Sequence, residues 1–197
     1  MKSLKDFYDD TAEQWAELWY KNETMLPVLQ EFLNCFLKKP IILDLCCGTG
    51  YESMRLKGLG AEVIGIDFSE KSIDIAKKKN KDICFFVEDI FNDYSYIGKV
   101  DGVVFLAGLV HISENQIYKV VENLDKVLKK DGFILISSKI GNGLMQTKRI
   151  VEGIEYERPF YGYTIQQVTN YLSNDYSLIK VIDGEPDWFN IILKKKG

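Results

Sequence analysis

The chain is short of the residue types that build most metal and nucleic-acid sites. It has one histidine, His111, and four cysteines, Cys35, Cys46, Cys47 and Cys84, among 197 residues. No cysteine pair has CxxC spacing and no histidine stands at ligand distance from one, which argues against a zinc site and a disulfide framework. No metal is expected. Free thiols suit a reducing compartment, so a cytoplasmic location is expected. Positive charge is not in excess: 25 Lys and Arg against 29 Asp and Glu give a formal net charge of −4. A general nucleic-acid binder carries a basic surface, so no nucleic-acid partner is expected. Long apolar runs are missing too. The longest, about residues 103–110, is far shorter than a membrane span, and the opening MKSLKDFYDD lacks an apolar core of signal-peptide length. A membrane partner is therefore not expected.

What is present reads as one folded domain. Apolar residues make up 46% and charged residues 27%, an ordinary globular balance. The length suits a single domain of roughly 100–200 residues. Leu4, Phe7, Tyr8, Thr11, Trp15, Leu18 and Trp19 recur at helical spacing, and 24–39 reads as a second helix ended by Pro40. Apolar strands at 41–45, 61–67, 83–87, 100–106 and 133–138 then alternate with helices at 51–59, 70–79 and 114–130. Ser69 and Ser113 supply N-caps for the last two helices. Continuous apolar strands separated by helices predict a parallel sheet covered on both faces. Residues 141–157 are polar and irregular, and read as a loop or lid. A helix at 164–172 precedes two strands, 176–182 and 188–193, joined by a turn with Gly184 and Pro186. The predicted fold is α/β: a doubly wound, mostly parallel seven-stranded Rossmann-like sheet, with one antiparallel strand from the C-terminal hairpin and helices on both faces. Three segments follow within one domain: 1–39 as N-terminal helices, 40–139 as a ligand-binding core, and 140–197 as the substrate side and hairpin.

The chemistry concentrates at strand ends. PIILDLCCGTG runs from a buried strand through Asp44 into a loop with Gly48 and Gly50. Glycines let a ligand approach the backbone, and the helix that follows presents its amides to it. Adjacent Cys46 and Cys47 read as small residues that let the loop pack. Asp67 ends the next strand, seventeen positions after Gly50, where a carboxylate can accept from both ribose hydroxyls. Phe68 would pack on an adenine face, and Asp89 ends the third strand. Asp89 alone is equally a strand-end turn residue. The loop is not the dinucleotide fingerprint GxGxxG, because Tyr51, Glu52 and Ser53 follow Gly50 with no third glycine. S-adenosylmethionine has a ribose, an adenine, an ammonium and a sulfonium but no phosphate, and Asp44 would suit its cationic end.

These segments resemble the class I S-adenosylmethionine-dependent methyltransferases of small-molecule type. ILDLCCGTG resembles the first motif of that family, VIGIDFS the second, VEDI the third, DGVVFLAGLVHI the fourth, and LKKDGFILIS the fifth-strand segment. The resemblance implies S-adenosylmethionine as cofactor and a small-molecule methyl acceptor. It implies that Asp44, Cys46, Gly48 and Gly50 surround the methionine part, Asp67 the ribose, Phe68, Asp89 and Ile90 the adenine, and that Leu106 offers its carbonyl to the ammonium. It places Tyr8 over the cofactor; a second tyrosine is frequent where this chain has Trp15.

His111 lies five residues past the fourth strand and is the candidate general base; lining the site or a purely structural role are the other readings. In EYERPFYGY, Arg158 would hold an acidic group of a substrate, and Tyr161 and Tyr163 would line its pocket. A surface β-strand is the alternative for that stretch. A cofactor-binding module without transfer activity is a second functional reading, and a nucleotide-dependent oxidoreductase a third.

Overall fold

Strand β1 (Ile41–Leu45) shows why the sheet takes its form. Its side chains alternate between two apolar layers: Leu43 and Leu45 enter one, Ile42 the other. In β4 (Val100–Leu106), Val103 and Phe105 join the first layer and Val104 the second. In β5 (Leu128–Lys139), Ile134 and Ile136 oppose Leu135 in the same way. Strands buried on both faces lose the apolar–polar alternation of half-exposed ones and pair in parallel.

The computed structural model describes all residues, 1–197. The other strands of the main sheet are β2 (Glu62–Asp67), β3 (Cys84–Val87), β8 (Tyr176–Ile182) and β9 (Trp188–Lys195). Their order is β3-β2-β1-β4-β5-β9-β8. Only β9 runs antiparallel to its neighbours. The predicted seven-stranded, mostly parallel sheet is therefore found. Helices α2 (Leu26–Leu33), α3 (Tyr51–Gly58) and α4 (Glu70–Lys79) contribute to one layer, and α5 (Ile117–Val127) and α6 (Ile165–Leu172) to the other. The strand order reverses between β1 and β4, which opens a crevice at their carboxyl ends. No helix is long and apolar enough to cross a membrane.

Helix α1 (Leu4–Trp19) crosses that crevice and is tied down at both ends. Ser3 caps it, exchanging hydrogen bonds with Asp6. Asp9 accepts from Ser69 Oγ at 2.7 Å and from the Lys71 amide at 3.1 Å. A carboxylate there also meets the positive end of the α4 dipole. At its far end, Arg55 of α3 donates to the carbonyls of Trp19 and Asn22.

Two expectations are corrected. The second helix stops at Leu33 rather than reaching residue 39. Turns at Cys35 and Phe36 follow, and Phe36 packs edge-on against Phe32 and Phe133. Its helical spacing was thus satisfied by a turn. Residues 141–157 are not irregular. They lie mainly in β6 (Gly143–Val151) and β7 (Ile154–Gly162), a separate antiparallel hairpin. Its turn is Glu152-Gly153, both with positive φ, as a two-residue hairpin turn requires. Most of β6 is exposed, so it carries no buried-face pattern. The hairpin is linked to the N-terminus: the Lys2 amide donates to the Glu155 carbonyl at 2.9 Å, and the Glu157 amide to the Lys2 carbonyl at 2.7 Å.

One glycine of β2 tests the packing. A Cβ on Gly65 would lie 2.5 Å from the Phe85 ring and 2.9 Å from Cys47 Sγ. Gly65→Ala is expected to destabilise the fold by about 1–3 kcal/mol in urea titrations, the usual overpacking cost. Gly58→Ala, whose Cβ meets nothing within 4 Å in α3, serves as the control and is expected to be neutral to slightly stabilising. Equal stabilities for the two variants would contradict this packing.

Candidate active site

The turn after β1 is held by the end of β2. The Cys47 amide donates to the Ile66 carbonyl at 3.0 Å, and the Gly48 amide to Asp67 Oδ2 at 2.9 Å. The other Asp67 oxygen accepts from the Ser69 amide at 2.9 Å. One carboxylate thus fixes both the glycine-rich turn and the start of α4. Burial pushes Asp67 up to about 6, opposed by those two amides. Asp44 lies deeper, accepting from Ser53 Oγ. Burial pushes it up to about 7, with the charges of Glu52 and Asp67 adding to the effect.

The two loop glycines serve different ends. Gly48, at φ +52°, has nothing within 4 Å of a Cβ position, so its backbone is open to an approaching group. Gly50, at φ +81°, would press a Cβ against Phe85, Ala76 and Asn80. It is a left-handed packing position that starts α3.

A cavity of about 580 Å³ opens over this edge. Its floor is Cys46, Gly48, Asp67 and Leu106, with Phe68, Asp89 and Ile90 at one end. Helix α1 roofs it with Tyr8, Trp15 and Trp19, and the β6–β7 hairpin closes the other end with Gln146, Arg149, Arg158 and Phe160. Trp15 stacks on Trp19 at 6.4 Å between ring centres, and Trp19 on Tyr51 at 5.9 Å. Trp15 Nε1 and Thr49 Oγ1, both on cavity-lining residues, are buried without a hydrogen-bond partner.

His111 joins roof, floor and hairpin. Its Nδ1 is 2.8 Å from the Pro159 carbonyl, and its Nε2 is 2.6 Å from the Tyr8 hydroxyl. A carbonyl only accepts, so Nδ1 carries the proton. Nε2 is then an acceptor, and Tyr8 donates to it. Burial lowers the His111 pKa from 6.5 to about 4, and the Arg158 charge works in the same direction. Burial raises the Tyr8 pKa, with the Arg158 charge opposing.

The residues nominated from the sequence are sorted by this geometry. Tyr8, Cys46, Gly48, Asp67 and Phe68 line the cavity, as do Asp89, Ile90, Leu106, His111 and Arg158. Asp44 and Gly50 do not; they support the turn from behind. Tyr161 and Tyr163 also do not. Tyr163 is 2% exposed and donates to the Ile112 carbonyl, and Tyr161 stacks on it at 6.5 Å, against the core. Their expected place beside a substrate is corrected: the strand's alternation turns them inward and leaves Arg158 and Phe160 toward the cavity. Sequence reasoning passed over Thr49, Tyr51, Glu88, Gln146 and Arg149, all of which line it. Thr49 and Tyr51 adjoin the two glycines, so proximity to the motif was an available signal. Glu152-Gly153 marked the hairpin that carries Arg149.

Fold and cavity together define a Rossmann-like domain with a cavity at the switch point of the sheet. Residues 42–132 match the methyltransferase domain family. The chain is similar to the ubiquinone biosynthesis O-methyltransferase of Pelagibacter ubique, with 31% identity over 61% of this chain and 50% of that one. It is also similar to the ribosomal protein L11 methyltransferase of Thermosipho africanus, with 31% identity over 58% of this chain and 44% of that one. The chain spans about half the length of the curated relatives it matches. Its fold matches the solved complex of DhpI with SAH, at a TM-score of 0.82 and 19% identity, covering 98% of this chain and 95% of that one. The family match, these relatives and the fold together support kinship with S-adenosylmethionine-dependent methyltransferases.

The lone histidine makes its protonation directly readable. The single imidazole resonance is expected to titrate near pH 4 in the folded protein. Between about 4 and 6.5 the unfolded chain binds a proton here that the folded one does not. This group's contribution to stability is therefore present above 6.5 and is lost as pH falls through that window. An NMR midpoint near 6.5 would contradict the buried Tyr8–His111–Pro159 arrangement.

Proposed function

We propose that this domain binds S-adenosylmethionine in the cavity and transfers its methyl group to a small-molecule acceptor. The observation that carries the reading is the single cavity edge on which the open Gly48 backbone, the Asp67 carboxylate and the Tyr8–His111 pair converge. The residues present suit the cofactor. Asp67 already accepts two amides through different oxygens, and each oxygen keeps acceptor capacity for a ribose hydroxyl. Asp89 and Ile90 would meet the adenine edge and Phe68 would flank its face, since all three line the cavity. At the other end of the turn, the partnerless Trp15 Nε1 and Thr49 Oγ1 are donors suited to a carboxylate. Trp15 thus offers an indole N–H where relatives of this type frequently have a tyrosine.

When bound, the cofactor supplies an activated methyl group on a positively charged sulfur. The protein's part is alignment and exclusion of water. Proximity and orientation are worth about 7–11 kcal/mol in favourable cases. Helix α1 covers the space, and His111 holds Tyr8 over it. Both His111 nitrogens are engaged, so we assign His111 to positioning Tyr8 rather than to removing a proton. The cavity volume of about 580 Å³ falls within the roughly 300–1,000 Å³ of small-molecule sites. The dinucleotide oxidoreductase reading finds less support, because Gly48 and Gly50 lack the third glycine of a pyrophosphate cradle.

Calorimetry against S-adenosylmethionine, S-adenosylhomocysteine, NAD(H) and NADP(H) tests the reading. The two sulfur nucleosides are expected to bind and the dinucleotides not to; the reverse would sink it. Asp67→Ala is expected to weaken S-adenosylhomocysteine binding more than tenfold, since a hydrogen bond to a charged group is worth roughly 1.5–3 kcal/mol. Unchanged affinity would remove the ribose from Asp67.

A further inference from the structure

The hairpin end of the cavity carries two arginines that form no ion pair. Arg149 on β6 and Arg158 on β7 both line it. Neither takes part in any of the molecule's ion pairs. Two acids next to the hairpin are engaged elsewhere: Glu155 pairs with Lys148 at 2.6 Å, and Asp10 with Lys2 at 2.6 Å.

Arg158 is also fixed in place. Its guanidinium carbon lies 4.9 Å from the centre of the Phe7 ring and 5.0 Å from that of Phe160. Aromatic contacts of this kind hold the planar group and shield it from water while leaving its N–H edge to donate. Its Nε is buried with no hydrogen-bond partner. Buried donors are almost always satisfied, so an acceptor atom is the missing element. A guanidinium fork matches the paired oxygens of a carboxylate or phosphoryl group.

The opposite end carries the opposite sign. Glu88 and Asp89 line the cavity there, and Asp67 lies in the floor between. One end thus suits a cationic cofactor and the other an anion. Tyr8 and His111 stand where the charge of Arg158 acts on both, which places the arginine beside the proposed point of transfer.

We propose that the methyl acceptor is a small organic anion whose carboxylate or phosphoryl group is gripped by Arg158 and Arg149. This rests on the cofactor reading above. The test is calorimetry on protein saturated with S-adenosylhomocysteine, using benzoate, phenylphosphonate and neutral benzamide as probes. At least one anion is expected to bind at least tenfold more tightly than benzamide. A preference for benzoate assigns a carboxylate, and one for phenylphosphonate a phosphoryl group. Arg149→Gln and Arg158→Gln are each expected to lower anion affinity at least fivefold, with S-adenosylhomocysteine affinity as the control for folding. Arg149 is exposed, so its variant keeps the test valid if loss of the Arg158 sandwich unfolds the hairpin. Benzamide binding as well as the anions, no anion binding, or anion affinity unmoved in Arg149→Gln would overturn the proposal. Failure of S-adenosylhomocysteine itself to bind would instead refute the cofactor reading.

Discussion

The carboxylate of Asp67 sits where β2 ends, and each of its oxygens takes a backbone amide from a different segment. The Gly48 amide ties it to the turn after β1, and the Ser69 amide to the start of α4. The Gly48 bond adds to the one from the Cys47 amide to the Ile66 carbonyl in fixing the turn where its backbone faces the cavity. The group is costly to keep ionised, which is why burial raises its pKa to about 6. A buried acid held by amides and left with spare acceptor capacity is organised for an added donor. Asp44 plays the complementary part from behind, fastening the turn to α3 through Ser53.

Around that fixed floor the roof is assembled from side-chain contacts. Asp9 ties α1 to α4, and Arg55 holds its far end to α3. Tyr156 of the hairpin donates to Asp10 at 2.9 Å. His111 then links Tyr8 to Pro159. Helix α1 and the hairpin therefore meet through one histidine, and Arg158 packs on Phe7 of the same helix.

Much of this was legible in the sequence because the central strands are buried on both faces. Ile41 to Leu45 and Val100 to Leu106 advertise themselves as continuous apolar runs, and Asp67 and Gly48 stand at strand ends where a doubly wound fold concentrates its ligands. The hairpin was not legible in the same way. Most of β6 is exposed, so no burial period marks it, and only the Glu152-Gly153 turn betrays it. Tyr161 and Tyr163 were misplaced because aromatic composition does not say which face of a strand is inward. The end of α2 was overrun because Phe36 meets the core from a turn. Arg149 had only the Glu152-Gly153 turn to signal its hairpin; its meaning comes from lining, with Arg158, the cavity that the hairpin closes.

The central claim is that the turn held by Asp67 is the seat of an adenosyl sulfonium cofactor. A crystal structure of the protein with S-adenosylhomocysteine tests it most directly. Density for the nucleoside with its ribose on Asp67, its adenine by Phe68 and its sulfur facing Tyr8 is the predicted result. The nucleoside seated elsewhere, or Asp67 left with only its two amide partners, would contradict the account.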